Sequence, residues 1–417
     1  MTKKVYFARK KVLAKRGSSS SASEKQGSAR SAGSYLDYAA TTPIEPAVLT
    51  AMMPYLKEKF GNPSSIHSWG REAREAIEKA RQQVAKILGC LPTEVFFTGT
   101  TTTSDNLGIQ GVARAAKKAG KGNHLIISAI EHHAVLDTGQ ALEKEGFQLT
   151  ILPVDKDGLV DPQEVAKAIK KETILVSIMA ANNEVGTIEP IKEISQVTQK
   201  KGVLLHTDAA AAVDYLEVGV TELGVDLMTL GAHKFGGPKG VGALYVKKGV
   251  AIEPLTYGGH HEKGLWPGTE SPALIVGLAK ALAIATQERE EAVKKVTKLR
   301  ERLTKGILAQ VPGSELTGHP TKRLPDIASF IIEGVEGEAM LLMLSDKGIA
   351  ASSGSACTSG VLEPSHVLLA LGISSEKAHG SLRLSLGKRT TQEEIDYVIK
   401  TLPGIVKKLR KMAPKGI

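Results

Sequence analysis

Val203-Leu204-Leu205-His206-Thr207-Asp208-Ala209 reads as an apolar strand that ends in an aspartate. Similar short apolar runs flank it, at 125–127, 148–154 and 174–179 before it and at 226–230 and 241–246 after it. Helical segments separate these runs. At 72–88, Ala76, Ile77, Ala80, Val84 and Ile87 recur at helical spacing. Asp161-Pro162 supplies a cap and a first-turn proline for another helix. Strands that alternate with helices predict an α/β domain around a largely parallel, buried sheet. A long helical stretch from 271 to about 310 leads to a second region, where 327–332 and 381–386 look like strands beside helices. A smaller α+β domain is expected there. No internal repeat is present.

The chain has 417 residues, 54 Lys and Arg, 44 Asp and Glu, and a net charge of +10. Such a charge first suggests a nucleic-acid or membrane-surface partner. Its distribution argues otherwise. Residues 1–34 carry +8 and residues 404–417 carry +5, which leaves −3 for the body between them. The N-terminal stretch contains Ser18-Ser19-Ser20-Ser21 and little that can pack, so 1–34 reads as a disordered basic tail, a targeting segment or a partner-binding arm. Its few aromatics and lack of a recognisable motif weigh against nucleic acid. No apolar run approaches the ~18–20 residues that span a bilayer, so no membrane partner is expected. Two cysteines, Cys90 and Cys357, exclude a disulfide framework and a Cys-rich zinc site, and fit a reducing compartment.

Five stretches carry candidate chemistry. Gly231-Ala232-His233-Lys234-Phe235-Gly236 places a lysine just past an apolar strand. Held away from water it can form a Schiff base; otherwise it is a surface lysine in a glycine turn. Asp208, at a strand's carboxyl end, can pair with a cationic ring nitrogen or serve as a helix N-cap before Ala209-Ala210-Ala211. In Glu131-His132-His133 a histidine can stack on a planar cofactor or shuttle protons, or both can be polar loop residues. Neighbouring histidines do not face one way on a helix, which weighs against metal here and at His260-His261. Gly99-Thr100-Thr101-Thr102-Thr103-Ser104 is either a phosphate cradle or a poor helix start. Cys357 sits in Ser352-Ser353-Gly354-Ser355-Ala356-Cys357-Thr358-Ser359-Gly360, where it is a nucleophile or an ordinary loop thiol. Cys90, among apolar neighbours, reads as packing.

Together these stretches resemble the cysteine desulfurases, pyridoxal-phosphate enzymes of the aminotransferase-like fold type I. The likeness runs from Tyr35-Leu36-Asp37-Tyr38-Ala39-Ala40-Thr41-Thr42-Pro43 to about Met412. It includes Gly61-Asn62-Pro63-Ser64-Ser65, Asn182-Asn183-Glu184-Val185-Gly186 and Ser381-Leu382-Arg383-Leu384-Ser385-Leu386-Gly387. The cysteine segment, running on to Leu362-Glu363-Pro364-Ser365-His366, is similar to the long-loop NifS/IscS branch.

The resemblance implies a large cofactor-binding domain at 35–270, whose N-terminal part can pack with the smaller domain. It places the linking helix and that smaller domain, with the cysteine loop, at 271–417. It implies that Lys234 binds pyridoxal 5'-phosphate covalently and moves protons, that Asp208 holds the pyridinium nitrogen, and that His132 stacks on the ring. Thr102, His233 and Thr269 match phosphate contacts, the last donated across a homodimer. Asn183 and Arg383 match positions near the substrate, L-cysteine, with Arg383 on its carboxylate. Cys357 matches the nucleophile that takes the sulfur as a persulfide, while alanine leaves. Sulfur acceptors or iron–sulfur scaffold proteins are the implied partners. A bacterial cytoplasm is the first expectation for location and the mitochondrial matrix the second.

Several positions depart from the pattern. Ala211 replaces a glutamine that hydrogen-bonds the cofactor's phenolic oxygen, a loss of roughly 1–3 kcal/mol where the acceptor stays buried. Gly231 stands where many relatives carry a phosphate-binding serine. Thr101 and Thr103 replace a small residue and a glutamate, and Trp266 replaces an arginine before Gly268-Thr269. Tyr257-Gly258-Gly259-His260-His261-Glu262 departs slightly as well. These changes bear on cofactor affinity and turnover, and they leave a selenocysteine lyase-like enzyme and a weakened relative acting as a scaffold as the competing expectations.

Overall fold

The computed structural model describes residues 33–354 and 364–412. Twelve strands occur among them: β1 Ser34–Tyr35, β2 Val95–Thr98, β3 His124–Ser128, β4 Gln148–Leu152, β5 Thr173–Ser177, β6 Leu204–Asp208, β7 Leu227–Gly231, β8 Gly242–Val246, β9 Ser314–Leu316, β10 Ile327–Ile332, β11 Ile349–Ala350 and β12 Ser381–Ser385. The large sheet has the order β2-β8-β7-β6-β5-β3-β4. Only β8 runs against its neighbours; the pairs β3–β4, β3–β5, β5–β6 and β6–β7 are parallel. The expected α/β fold is thus present, with one reversed strand.

Burial explains the continuous apolar runs. Every residue of β3, β5, β7 and β8 is buried, because helices cover both faces of the sheet. Successive side chains enter opposite cores: Leu125 and Ile127 pack on one face, Ile126 on the other. The edge strand β4 is partly exposed. The amphipathic helix expected at 72–88 spans Ser68–Leu88, with Ala76, Ile77, Ala80 and Val84 buried. Asp161 caps the helix Pro162–Ala168, its side chain accepting from the Gln163 N–H.

The helix Pro272–Gln310 has 39 residues, about 58 Å at 1.5 Å per residue. Its first half, Ala273 to Ala285, packs in the core of the large sheet. Its second half, Ala292 to Ile307, packs in a second core with β10 and β12. That core is built on an antiparallel sheet, β12-β10-β9. The first described residues also belong to it. Strand β1 pairs in parallel with β11, Leu36 is fully buried in this core, and Asp37 bridges to Ser385. Among the described residues no helix is long and apolar enough to cross a membrane.

Candidate active site

Strand order locates the site. From β3 the chain steps outward to β4, then returns past β3 and builds β5, β6 and β7 in the other direction. The switch lies between β3 and β5, and ligands of such sheets bind outside the carboxyl ends there. A cavity of about 290 Å³ opens at that place, and Thr102, His132, Asn183, Asp208, His233 and Lys234 all line it. Its volume is near the low end for small-molecule sites. A larger groove, about 1070 Å³, lies elsewhere between Pro153 and Lys322, but none of these six residues lines it.

Each side chain is delivered by the end of an element. Lys234 closes the short 3-10 turn Ala232–Lys234 that follows β7 directly. Its Nζ donates to the carbonyls of Ala39 and Ala40, at 2.6 and 3.0 Å. Asp208 is the last residue of β6, and its Oδ1 accepts from the Ala210 N–H at 2.9 Å. Turns rather than a helix follow it at 210–215, so the helix N-cap alternative does not hold: Asp208 closes a local turn instead. His132 caps the helix His133–Lys144, with Nδ1 accepting from the Ala134 N–H at 3.0 Å. Burial lowers the His132 pKa, and Lys234 lowers it further against the pull of Asp208. Burial, with Lys234 and Lys239 nearby, brings His233 down to about 4.

The threonine run is a well-formed helix start, not a poor one. Thr100 caps the helix Thr101–Lys118 in a reciprocal box. The Thr103 N–H donates to Thr100 Oγ1 at 3.1 Å, and the Thr100 N–H donates to Thr103 Oγ1 at 2.8 Å. Thr103 thereby does what glutamate does at this position of a capping box. Trp266 packs beside the same turn: a Cβ on Gly99 would lie 3.6 Å from its Cζ2.

Three buried carboxyls cluster here, and two escaped the reading of the sequence. Glu131 Oε1 accepts from Ser128 Oγ at 2.6 Å and from the Met179 N–H at 2.9 Å, tying the end of β3 to the segment after β5. Burial pushes it up to about 8. Asp105, fully buried, is raised well above the carboxylate range by burial and by the Asp208 charge. His206, 3.7 Å from Asp105, is pushed down to about 3 by burial, so burial disfavours the charged form of both groups. Asp208 is also raised by burial, but the Ala210 N–H, His132 and Lys234 all oppose the rise. Of the three, Asp208 is the carboxyl whose rise Lys234 and His132 oppose. Glu131 sat in the quoted Glu131-His132-His133, and an acid beside a strand end was the available signal.

Arg383 stands one hydrogen bond from the cavity. Its Nη1 donates to the Asn183 carbonyl at 3.0 Å, and its Nη2 pairs with Asp37 Oδ1 at 3.0 Å. Thr269 is exposed and does not line the cavity. Cys357 lies outside the described residues. The segments before and after it converge on Glu184, whose Oε2 accepts from Ser365 Oγ at 2.8 Å. A Cβ on Gly354 would lie 1.8 Å from Glu184 Oε1. Cys90 is half-buried against the large core, and burial pushes its thiol up to about 12. Among the described residues no group of three or more His, Cys, Asp or Glu side chains is placed to hold a metal ion.

The class-V aminotransferase family matches residues 34–398. The cysteine desulfurase IscS of Clostridium botulinum (strain Hall) is 50% identical over 382 residues, which cover 91% of this chain and 96% of that protein. A solved NifS-like protein superposes with a TM-score of 0.85 at 39% identity, covering 91% of this chain and all of that one. A second solved structure, SspA in complex with cysteine, gives a TM-score of 0.75 at 35% identity, over 86% of this chain and all of that one. With its sheet, its cavity and this extent of similarity, the chain belongs to the class-V aminotransferase family and, within it, to the NifS/IscS-like cysteine desulfurases, pyridoxal-phosphate enzymes of fold type I.

Proposed function

We propose that the chain removes sulfur from L-cysteine, releases L-alanine and carries the sulfur as a persulfide on Cys357. The observation that supports this most is the convergence of an amine, a carboxylate and an imidazole, from Lys234, Asp208 and His132, on one cavity at the sheet's switch point. The residues present fit pyridoxal phosphate. The first turn of the helix Thr101–Lys118 offers amide donors for an anion, a buried carboxyl stands ready for a cationic nitrogen, and a lysine amine lines the same cavity. When bound, the cofactor supplies an electron sink.

The residues then divide the work. Asp208, whose burial Lys234 and His132 partly offset, would hold a protonated ring nitrogen. His132, with Nδ1 fixed by the Ala134 N–H, lines the cavity, where it would stack on the ring. Lys234 would leave the Ala39 and Ala40 carbonyls to hold the cofactor and would move a proton at the substrate's Cα. Asn183 and Arg383 orient the substrate, Arg383 exchanging Asp37 for the substrate carboxylate. The Cys357 thiolate attacks the substrate sulfur; the S–S bond forms as the carbon–sulfur bond breaks. The released electron pair passes to the substrate's Cβ, which takes a proton to become the methyl group of alanine. No external oxidant or reductant is needed.

The working form is a homodimer in which Thr269 completes the partner's phosphate site. Sulfur acceptors or iron–sulfur scaffold proteins collect the persulfide, and the reaction runs in a reducing compartment such as a bacterial cytoplasm. The decisive experiment measures alanine and protein-bound sulfur from cysteine in wild type and in Cys357→Ser. Undiminished alanine release by the variant overturns the persulfide route. Purified protein that is colourless and takes up no pyridoxal phosphate overturns the enzyme assignment in favour of a scaffold, whereas yellow protein that loses its colour in Lys234→Ala supports it.

A further inference from the structure

Thr101, which lines the cavity, faces Gly231 behind it. Gly231 ends β7, and Thr101 opens the helix Thr101–Lys118. A Cβ built on Gly231 would lie 1.9 Å from Thr101 Oγ1, 3.2 Å from its Cβ and 3.5 Å from its Cγ2. Atoms cannot approach to 1.9 Å, so a side chain at 231 and the present Thr101 exclude each other. Thr101 Oγ1 is also buried without a hydrogen-bond partner among the described residues. A hydroxyl in that state is costly, and native structures rarely keep one without a use. Thr101 lines the cavity beside Thr102 and His233. It sits in the first turn of an 18-residue helix, where backbone amides and the helix dipole favour an anion.

We infer that Thr101 is a phosphate ligand of the bound cofactor, and that Gly231 is the residue that makes room for it. The inference rests on the pyridoxal-phosphate reading of the cavity and extends it to a position with no assigned role. Threonine in a helix populates two χ1 wells, so Oγ1 can turn from Gly231 to the cavity at small cost. A phosphate oxygen at the helix start then accepts the hydrogen bond that Oγ1 cannot make otherwise. The absent side chain at 231 leaves space for the branch that swings back. The two positions therefore act as one unit: a hydroxyl can stand on the helix or on the strand end, and not on both.

The test uses the full chain, stripped of cofactor and titrated with pyridoxal phosphate and, separately, with pyridoxal, which lacks the phosphate. Thr101→Val keeps the shape and removes the hydroxyl. It is expected to weaken pyridoxal phosphate by about tenfold to a hundredfold, the range for a hydrogen bond to a charged group, and to leave pyridoxal unchanged. Gly231→Ser alone is expected to weaken pyridoxal phosphate through collision with Thr101. The double variant Thr101→Ala/Gly231→Ser is expected to return to within about threefold of wild type, since the hydroxyl has only changed sides. Thermal unfolding of each cofactor-free variant separates lost binding from lost folding. Three results overturn the inference: Thr101→Val binding pyridoxal phosphate as tightly as wild type, equal weakening toward pyridoxal, or a double variant no better than Gly231→Ser. Wild type that takes up neither compound overturns the cofactor reading itself, a different outcome from any of these.

Discussion

Glu184→Gln should make the protein more stable, and only above acidic pH. Glu184 is 4% exposed and fixes the surroundings of the cysteine segment through Ser365 Oγ. Burial raises its carboxyl from 4.5 to about 7, against the pull of the Ser365 hydrogen bond and of Arg383. A carboxyl with a folded pKa above its unfolded one resists ionisation in the fold. The resulting penalty is absent well below pH 4.5, grows as pH rises from 4.5 to 7, and is constant above that. The interval from 4.5 to about 7, at about 1.4 kcal/mol per tenfold, amounts to about 3 kcal/mol at alkaline pH. Glutamine carries no charge and still offers an oxygen to Ser365. Urea unfolding of both proteins at pH 4, 6, 7 and 8.5 isolates this group, because the other buried carboxyls titrate alike in each. The two midpoints should coincide at pH 4 and separate by an amount equivalent to about 3 kcal/mol at pH 8.5. A difference that does not vary with pH, or a variant less stable at pH 8.5, refutes the reasoning.

Three further outcomes follow from other contacts. Arg81 reaches Glu262 through both Nη atoms at 2.8 and 2.7 Å, and Glu262 also accepts from the Phe97 N–H at 2.9 Å. Arg81→Ala strands that buried carboxylate and should cost about 3–5 kcal/mol in chemical denaturation, whereas Arg81→Met/Glu262→Leu should cost clearly less than the sum of the singles. Asp208→Asn keeps an oxygen for the Ala210 N–H but loses the charge opposite Lys234 and His132. Alanine release should fall by about a hundredfold, the equivalent of about 3 kcal/mol, with the fold intact by circular dichroism. Cys90, with its thiol near 12, should alkylate at pH 8 roughly a thousandfold more slowly than an exposed thiol, which peptide mass spectrometry can measure.

The large sheet was legible because burial on both faces leaves unbroken apolar runs, and strands 227–231 and 242–246 declare themselves in that way. The residues gathered in the cavity were legible for a related reason: Asp208 and Lys234 come at strand ends, where a polar group after an apolar run stands out. What stayed hidden depends on partners distant in sequence. Nothing local to Asp208 shows that turns rather than a helix follow it. The threonine run 100–103 allowed a poor helix start, and only the reciprocal bonds between Thr100 and Thr103 reveal a cap. Glu131 and Asp105 carried no assigned role in the sequence, although the fold buries both beside Asp208. The exclusion between Thr101 and Gly231 links positions on two different elements, which periodicity cannot register.

The pairing of β1 with β11 has a consequence for how the chain is made. Asp37 meets Arg383 across 346 residues, and Ser34 lies beside Ile349. These first described residues leave the ribosome before any of their partners exist. Leu36, destined for full burial, must wait until its core partners on β10 and β12 are synthesised. Local contacts in the large sheet can form meanwhile, but closure of the second core is a late event that requires both ends. Arg383, beside the cavity, is anchored through that same closure. A nascent chain can thus hold Asp208 and Lys234 in place while the arm that orients the substrate is still missing, so competence should arrive only after synthesis has passed Arg383.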